Sequence, residues 1–483
     1  MPKTEKSEAD PRLGAKVRSL RRRENLSQAQ LAQRLGVSAS YLNLIEANRR
    51  PLPAGLLIKL AQQFSLDVTS FAADGEARLS AELLEAFADP LFESHGLTTT
   101  DLRELATGSP AAARAVLALY RAYRSARQSA ETLASQVVGD EPAGAAHSLL
   151  PSEEVSDLIQ DRQNHFPELE AGAERLWREA KLDPEELAPR LVRHLEAAHG
   201  VQVRIGRGLA ERGVLRRFDA ARKTLTLSEL LPTRSRTFQL AHQLALLGAR
   251  EGLDRLVQDG RLTSEESRTL ARVALANYFA GAVLMPYGPF LAAAREERYD
   301  IDVLGRRFRV GFEQVCHRLT TLRRPGAEGV PFHMLRIDVA GNLSKRFSSS
   351  GIHFARFSGA CPRWNVFQAF LTPGLIRTQI SRMTDGSAYF CVARTLQHDS
   401  GGYHAQPPVQ ALALGCRLQD AKELVYSDGI DLTDLAAAVP VGTSCRLCER
   451  MDCAQRAFPS LRQPLQLDEN LRGVSLYARV DAT

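Results

Sequence analysis

The stretch SQAQLAQRLGVSASYLNLIEANRR, residues 27–50, determines how the amino-terminal part of this chain folds. Its first four residues have the S-x-x-Q form of a capping box, which predicts a helix that begins after Ser27. Gly36 then supplies the turn, and Ser38 is placed to cap a second helix. Apolar side chains recur on this second helix at 3.6-residue spacing, namely Tyr41, Leu42 and Ile45. The pattern predicts two short helices joined by a tight turn.

The opposite face of the second predicted helix carries short side chains, which are Ala39, Ser40 and Asn43. Short side chains allow a helix to lie deep in the major groove of DNA, where hydroxyl and amide groups bond to base edges. Polar and cationic residues at the ends of the elements complete the predicted DNA-binding set, namely Gln28, Ser38, Asn48, Arg49 and Arg50. We therefore predict an all-α helix-turn-helix domain in residues 11–70. The alternative is a small helical bundle that binds another protein.

The charge distribution supports contact with nucleic acid in this region alone. Residues 1–60 contain 12 Lys or Arg and 5 Asp or Glu, a net charge of +7, whereas the whole chain of 483 residues has +6. The rest of the chain thus has a net charge of −1. The excess of positive charge is confined to the amino-terminal region, as expected when one module binds phosphates. A hydrophobic content of 44% is enough to fill the cores of several domains.

The apolar stretches of the sequence do not predict a membrane or secreted protein. The longest apolar-looking stretch, residues 273–285, is interrupted by Asn277 and is shorter than the roughly 20 residues that a bilayer requires. The first 11 residues are polar and lack an apolar signal region. We expect a cytoplasmic protein without a membrane partner, and cysteines that stay reduced.

The amino-terminal pattern resembles a known group of DNA-binding proteins. The stretch from Arg18 through Ser27, Gly36 and Glu46 is similar to the XRE family of regulators. This resemblance implies sequence-specific binding of double-stranded operator DNA. Glu46 itself is expected to be a structural ion-pair partner that does not read bases.

Three further regions follow in the sequence. Residues 78–137 have the Leu and Ala spacing of helices and are predicted to form a linker or dimerisation arm. Gly and Pro residues cluster at 138–151 and again at 325–329, which places boundaries around a middle domain, 150–325, and a carboxyl-terminal domain, 330–480. Alternating strands with Gly341-Asn342 as a turn predict a hairpin at 334–347. Both domains are predicted to be α+β in this multidomain chain.

The middle domain resembles the ImmA/IrrE-like zinc peptidases, but it lacks their reactive residues. That family uses H-E-x-x-H, in which two His bind zinc and the Glu activates water. The corresponding five residues here are His242, Gln243, Leu244, Ala245 and Leu246, and Leu275 stands where a third, acidic ligand is expected. One imidazole cannot hold a catalytic zinc. We predict a domain without enzymatic activity, whose cleft remains able to bind a small molecule.

The whole chain resembles the short-chain fatty-acyl-CoA-responsive transcriptional regulators. The resemblance adds stretches of the carboxyl-terminal region to the two motifs above, including 333–347, CPRWN at 361–365, LGC at 414–416 and 440–459. It implies a short-chain acyl-CoA effector and target genes of carboxylic-acid metabolism. The residues that we consider for effector binding are Lys345, Arg346, Arg356, Arg363, His242 and Tyr278. Solvated surface charge is the alternative explanation for the cations.

Three cysteines near the carboxyl terminus form a C-x2-C-x4-C pattern, Cys445, Cys448 and Cys453. Three thiolates require a fourth ligand, and Cys416 is the predicted one because it follows a glycine and belongs to the recognised pattern. Both a four-iron iron-sulfur cluster and zinc accept four thiolates, and we favour the cluster because it gives a regulator a redox input. Free thiols are the alternative.

Three functions are compatible with the sequence. The first is an acyl-CoA-controlled regulator that binds DNA as a homodimer or a higher homo-oligomer. The second is a redox-sensing or metal-sensing DNA-binding regulator without a small-molecule effector. The third is a peptidase that cleaves a partner regulator, and the missing Glu and His argue against it.

Overall fold

A computed structural model describes most of the chain. The described residues are 14–23, 26–47, 49–50, 52–64, 74–89, 91–92, 97–136, 151–207, 214–354, 360–396, 408–460, 473–475 and 477. Two compact units are formed, one by residues up to 128 and another by residues from 129 onward.

The amino-terminal unit is all-helical. Its helices are α1 Gly14–Arg23, α2 Gln28–Leu35, α3 Ala39–Glu46, α4 Ala54–Gln63, α5 Asp74–Ala86, α6 Thr99–Gly108 and α7 Pro110–Gln136. The predicted capping box is present. Ser27 Oγ accepts from the backbone amide of Gln30, and Gln30 Oε1 accepts from the backbone amide of Ser27. Gly36 ends α2 with a φ of +72°, a left-handed conformation that glycine adopts without steric cost.

Two small cores hold this unit together. The first lies among α1 to α4 and is made of Val17, Leu20, Leu31, Ala32, Leu35, Leu42, Ile45 and Leu60. The second joins α5, α6 and α7 through Leu79, Leu83, Ala86, Ala106, Ala113, Leu117 and Tyr120. The Tyr120 hydroxyl donates to Asp89 at 2.9 Å, which fixes α7 to the end of α5. Helices α5, α6 and α7 therefore pack on one another, and the role of residues 78–137 as a linker or dimerisation arm stays a prediction.

The second unit contains helices and two sheets. Its helices are α8 Pro151–Asp161, α9 Pro167–Glu179, α10 Leu187–His199, α11 Thr233–Gly248, α12 Arg250–Leu256, α13 Glu265–Leu284, α14 Tyr287–Glu296, α15 Ile301–Arg307, α16 Phe312–Thr320 and α17 Asn365–Gln368. Its strands are β1 Gln202–Gly206, β2 Arg216–Asp219, β3 Thr224–Ser228, β4 His333–Asp338, β5 Leu343–Ser348, β6 Arg377–Arg382, β7 Ala388–Leu396, β8 Gln410–Arg417 and β9 Val439–Pro440.

The smaller sheet has the order β1-β3-β2, with β1 parallel and β2 antiparallel to β3. The larger sheet has the order β5-β4-β8-β7-β6-β9 and is antiparallel except at β9. The predicted hairpin is confirmed as β4 and β5, with Gly341 in the turn at a φ of +86°. The predicted fold class, a helical amino-terminal domain followed by α+β regions, is confirmed.

One large core crosses the boundary predicted at 325–329. It runs from Val155 on α8 through Phe279 on α13 to Phe390 and Leu412 on the larger sheet. Side chains alternate between the two faces of a strand, so the other face of β7 and β8 carries a second core with Cys361, Trp364 and Cys391. The middle and carboxyl-terminal regions therefore share a core. Among the described helices, none combines the length and apolar character needed to cross a bilayer.

Candidate functional site

The exposed face of α3 presents the short side chains predicted to read bases. Ala39, Ser40 and Asn43 are all exposed, whereas Leu42 and Ile45 are buried on the opposite face. The Gln28 amide donates to Asn43 Oδ1 at 3.3 Å and to Glu46 Oε2 at 2.9 Å. Gln28, predicted to contact the DNA backbone, thus also orients Asn43 from the preceding helix.

A buried carboxylate fixes α3 to α1. The guanidinium of Arg21 donates to both carboxylate oxygens of Glu46, at 2.7 and 2.9 Å. Burial by itself raises the pKa of Glu46, but the hydrogen bonds from Arg21 and Gln28 outweigh it and the pKa is lowered. The expectation that Glu46 is a structural ion-pair partner agrees with this geometry.

The remaining predicted DNA contacts lie at the two ends of α3. Ser38 caps the helix by accepting from the Tyr41 amide at 3.1 Å. Arg49 and Arg50 are exposed after the helix, and the Arg50 guanidinium lies 5.5 Å from the centre of the Tyr41 ring. Asn48 lies outside the described residues.

A cation from the protein itself lies beside His242 and Gln243 of the middle domain. His242 on α11 is buried, and its Nδ1 lies 2.8 Å from Asn277 Oδ1 on α13. Its Nε2 has no hydrogen-bond partner among the described residues. Arg216 on β2 donates to Gln243 Oε1 at 3.1 Å. Burial and then the charge of Arg216 lower the pKa of His242 to about 4, so this imidazole is neutral beside a guanidinium that repels metal ions.

The residue of α13 that contacts His242 is not the one at the expected third ligand position. Leu275, placed at the third ligand position, is buried in the large core. Asn277, two residues further along α13, contacts the imidazole. An amide stands there, where a zinc peptidase needs an anionic ligand.

A large cavity opens in the second unit beside this centre. It has a volume of about 1750 Å³, whereas drug-sized ligands occupy roughly 300–1000 Å³. Its walls come from α8, α11, α13, α15, α16, β4, β5 and β7. Apolar side chains from the first three helices form one part of the wall, including Val155, Ile159, Phe238 and Ala274.

The rest of the wall is strongly basic. Its described residues include three acids, Glu153, Asp302 and Glu313, and eight cations, Arg234, Arg306, Arg309, Arg318, Arg336, Lys345, Arg346 and Arg394. The Arg394 guanidinium donates to Asp302 at 2.9 Å and lies 3.8 Å from the centre of the Phe312 ring. Arg306 has no ion-pair partner within the described part of the chain. The excess of positive charge suits an anionic ligand with an apolar portion.

Some of the predicted effector residues line this cavity. Lys345, Arg346 and Tyr278 do so. The Tyr278 hydroxyl is already engaged, because it donates to Glu170 at 2.7 Å and accepts from the Phe166 amide at 3.3 Å. His242 is not on the wall, although its partner Asn277 is.

The other two predicted cations do not contribute to the described wall. Arg363 lies in the loop beside Cys361 and is not among the residues that line the cavity, so its part in effector binding stays a prediction. Arg356 lies outside the described residues. Sequence reasoning missed Arg306, Arg309, Arg336 and Arg394, because isolated arginines on separate elements have no local pattern.

The structure corrects the fourth cysteine of the predicted metal site. Cys416 was expected to join the other three, but its side chain points into the large core on one face of β8. Cys361 lies on the opposite face of the sheet and interacts electrostatically with Cys445 and Cys448. The amide of Gly442 bonds to the Cys361 sulfur, and a Cβ on Gly442 would lie 2.9 Å from Cys448 Sγ.

A buried arginine organises the loop that carries these cysteines. The Arg456 guanidinium donates to the carbonyl oxygens of Cys445 and Cys448 at 2.8 and 2.7 Å. Among the described residues, no group of three or more His, Cys, Asp or Glu has an arrangement that holds a metal ion. The described thiols therefore do not form a closed metal site.

Three family models match successive parts of the chain. Residues 12–71 match a helix-turn-helix domain, residues 196–320 match the IrrE N-terminal-like domain, and residues 321–477 match the carboxyl-terminal domain of the short-chain fatty acyl coenzyme A regulators. These matches follow the order predicted from the sequence.

Curated relatives match over almost the full length. The HTH-type transcriptional regulator RamB of Mycobacterium tuberculosis H37Rv is 41% identical, covering 96% of this chain and 98% of that protein. PrpR of the same strain is 40% identical, covering 95% and 93%. The propionyl-CoA carboxylase regulator of Cereibacter sphaeroides is 40% identical, covering 97% and 98%.

A solved structure supports the same assignment. It is a Mycobacterium tuberculosis transcriptional regulator with 43% identity and a TM-score of 0.66, and the match covers 68% of this chain and all of that one. Full-length similarity at this level shows common ancestry for all three regions together. The chain therefore belongs to the family of helix-turn-helix transcriptional regulators that carry an IrrE-like domain and a short-chain fatty acyl coenzyme A regulator domain.

Proposed function

We propose that this protein binds operator DNA through α3 and regulates genes of short-chain carboxylic-acid metabolism under control of a short-chain acyl-CoA. One relative is named as a regulator of propionyl-CoA carboxylase, which supports this choice of target genes. In this proposal Ala39, Ser40 and Asn43 face base edges, and Arg49 and Arg50 neutralise phosphates.

We also propose that the regulator acts as a homodimer or a higher homo-oligomer. Helix-turn-helix proteins bind paired half-sites through two-fold symmetry. The outer face of α7 supports this, because it exposes apolar side chains with the alternating three- and four-residue spacing of a coiled-coil seam, namely Ala112, Ala115, Leu119 and Ala122. Leu119 is 72% exposed.

We expect Asn43→Ala to weaken binding to the specific operator by about 1–3 kcal/mol, because the amide is placed to bond to a base edge. Non-specific binding should change little. An operator selected from random DNA and titrated by fluorescence anisotropy, against a scrambled duplex, measures both affinities. Arg49→Ala is the matched comparison and should weaken both, since phosphate contacts carry no sequence information. Unchanged affinity and sequence preference in Asn43→Ala would contradict the placement of α3.

The cavity is the observation that carries the effector assignment. An acyl-CoA combines several phosphate charges with a long, partly apolar chain. The wall has eight cations against three acids, and six of these cations remain when Arg309 and Arg318, which pair with Glu185 and Glu170 outside the wall, are set aside. Helices α8, α11 and α13 add an apolar surface. The volume of about 1750 Å³ is large enough for a ligand well beyond drug size. Binding there would change operator affinity, and by linkage DNA would change acyl-CoA affinity by the same factor.

Arg306→Ala tests this assignment with little structural disturbance, because Arg306 lines the cavity without an ion-pair partner among the described residues. Loss of a charge-assisted contact of about 1.5–3 kcal/mol should weaken propionyl-CoA binding at least tenfold in calorimetry. Arg307→Ala is the matched control on the same helix, since Arg307 pairs with Glu296 and is not part of the wall. A wild-type protein that binds neither acetyl-CoA nor propionyl-CoA would refute the effector proposal and favour a metal-sensing or redox-sensing regulator.

We propose that Cys361, Cys445, Cys448 and Cys453 hold a four-iron cluster, with zinc as the alternative. Gly442 lies next to two of these cysteines, because its amide bonds to the Cys361 sulfur and an added Cβ would lie 2.9 Å from Cys448 Sγ. Arg456 would partly neutralise a cluster with four thiolates, because its buried guanidinium lies in the same loop. When bound, a four-iron cluster supplies a redox input and zinc supplies a structural cross-link.

Metal analysis of protein prepared without oxygen should find iron or zinc in stoichiometric amounts. Cys361→Ser and Cys448→Ser should lose the metal, because each removes one of four ligands. Cys416→Ser is the control and should retain it, because Cys416 lies on the other face of the sheet. Wild-type protein without either metal, or metal that depends on Cys416 and not on Cys361, would contradict this proposal.

We propose, finally, that the IrrE-like domain has no peptidase activity. Gln243 cannot act as a general base, and Leu246 and Leu275 stand where the family has zinc ligands. Arg216 places a positive charge next to His242 and disfavours any metal there.

A further inference from the structure

A cluster of ionic side chains on the cavity wall shares a single carboxylate. Glu313 Oε1, at the start of α16, accepts from Arg336 Nη1 at 2.8 Å and from Lys345 Nζ at 3.1 Å. His317, one turn later on α16, lies 3.7 Å from the same oxygen. All four residues line the cavity.

This cluster is one negative charge short of neutrality. Arg336 and Lys345 are cations, and Glu313 is the acid between them. Lys345 Nζ lies 3.1 Å from His317 Nε2, and burial followed by the charge of Lys345 lowers the pKa of His317 to about 4. The imidazole is thus neutral at physiological pH and accepts from the ammonium. The carboxylate occupies the position between two cations that an anionic ligand would take.

The cluster also connects two separate elements of the wall. Glu313 and His317 belong to α16, whereas Arg336 lies on β4 and Lys345 on the paired strand β5. Arg336 and Lys345 are opposite each other across the hairpin. The ionic contacts in this cluster between α16 and the hairpin are therefore those that Glu313 makes with these two cations.

We infer that Glu313 is an internal counter-anion, which a phosphate group of the ligand displaces from Arg336 and Lys345. This inference rests on the proposed function, because it assigns the phosphate end of the proposed acyl-CoA site. The bound phosphate accepts from Arg336 and Lys345, and Glu313 turns away from the phosphate. Ligand binding then breaks the ionic link between α16 and the β4–β5 hairpin, which gives the cavity a way to change its own wall.

Glu313→Gln in the full-length protein tests the inference, because glutamine keeps the shape and the acceptor but removes the competing charge. Calorimetry should show propionyl-CoA and inorganic pyrophosphate binding about tenfold more tightly than to wild type, since like charge at a binding site disfavours the anion. S-propionyl-pantetheine, which lacks phosphate, should bind both proteins equally. Glu174→Gln, which disrupts an ion pair with Arg324 away from the cavity, should leave all affinities unchanged.

Lys345→Gln provides the opposite change and should weaken binding of the two phosphate-bearing probes alone. Equal or weaker phosphate binding by a folded Glu313→Gln, or unchanged phosphate binding by Lys345→Gln, would overturn the inference while leaving acyl-CoA binding intact. Conversely, tighter pyrophosphate binding by Glu313→Gln in a protein that does not bind propionyl-CoA would support the inference and refute the proposed effector.

Discussion

Arg318→Met should lower the free energy of unfolding of the second unit by about 3–5 kcal/mol, because it leaves a buried carboxylate without its counter-ion. The Arg318 and Glu170 side chains are 1% and 2% exposed. The guanidinium donates to Glu170 Oε2 at 3.0 Å and to the Met285 carbonyl oxygen at 2.9 Å. Chemical denaturation followed by tryptophan fluorescence measures this unit selectively, since the two tryptophans of the chain, Trp177 and Trp364, both belong to it.

The stability lost in Arg318→Met should depend on pH in a direction that identifies the buried charge as its cause. Burial by itself raises the pKa of Glu170, and in the wild type Arg318 outweighs burial and lowers it. This carboxylate therefore stabilises the wild type above the usual glutamate pKa and ceases to do so as pH falls through its lowered value. Arg318→Met removes the largest contribution that opposes burial and leaves the weaker ones from Tyr278 and His165, so the pKa of Glu170 rises and the variant becomes less stable as pH increases. The difference between the proteins should thus be smaller at pH 5 than at pH 8.

Glu170→Gln in the Arg318→Met background is the control for this effect. It removes the unpaired charge and keeps an acceptor for the Tyr278 hydroxyl, which now donates to Glu170 at 2.7 Å. The double variant should recover a large part of the lost stability, because residues in one network are strongly coupled. A double variant less stable than Arg318→Met, or a loss independent of pH, would contradict the explanation by charge burial.

Gly415→Ala should destabilise the same unit by about 3 kcal/mol, toward the upper end of the cost of overpacking. Gly415 lies within β8 between its partners His333 on β4 and Cys391 on β7. An added Cβ would lie 2.4 Å from His333 Nε2 and 2.7 Å from Cys391 Sγ, both in buried side chains. His333 is held by Ser350 Oγ, 2.8 Å from its Nδ1, and cannot move away without losing that bond.

Gly252→Ala is the matched control, since its added methyl group meets no atom within 4 Å. Gly252 lies on α12, where alanine favours the helix by about 0.5–1 kcal/mol, so thermal unfolding should be unchanged or occur at a higher temperature. A fully stable Gly415→Ala would show that the space around His333 is larger than the structure indicates.

Local signals in the sequence were sufficient for the DNA-binding module. The Ser27 capping box, the left-handed Gly36 and the Ser38 cap each act within four residues along the chain. Such interactions depend on residue types at short, fixed spacings, so they can be predicted from the sequence before the fold is known. The β4–β5 hairpin is another local feature, and its turn at Gly341 was predicted for the same reason.

Long-range pairing was not predictable in this way. Cys361 lies 84 positions before Cys445 in the sequence. Cys416 belongs to the core on one face of the larger sheet, and Cys361 belongs to the core on the other face, where the cysteine loop lies. Gly415, the glycine that supported the choice of Cys416, is a strand residue whose small size is required by His333. Neither relation leaves a trace in the neighbouring sequence.

The sequence by itself determined the helix-turn-helix, the order of the three regions and the loss of the peptidase residues, because these depend on residue identity and short-range spacing. Tertiary structure alone decided which cations form the cavity wall, which cysteine lies beside Gly442 and how Arg216 and Asn277 surround His242 and Gln243. These outcomes depend on residues from separate elements meeting in space. Their surroundings then set their pKa values: burial lowers that of His242, whereas the hydrogen bond from His317 and the charges of Lys345 and Arg336 outweigh burial and lower that of Glu313.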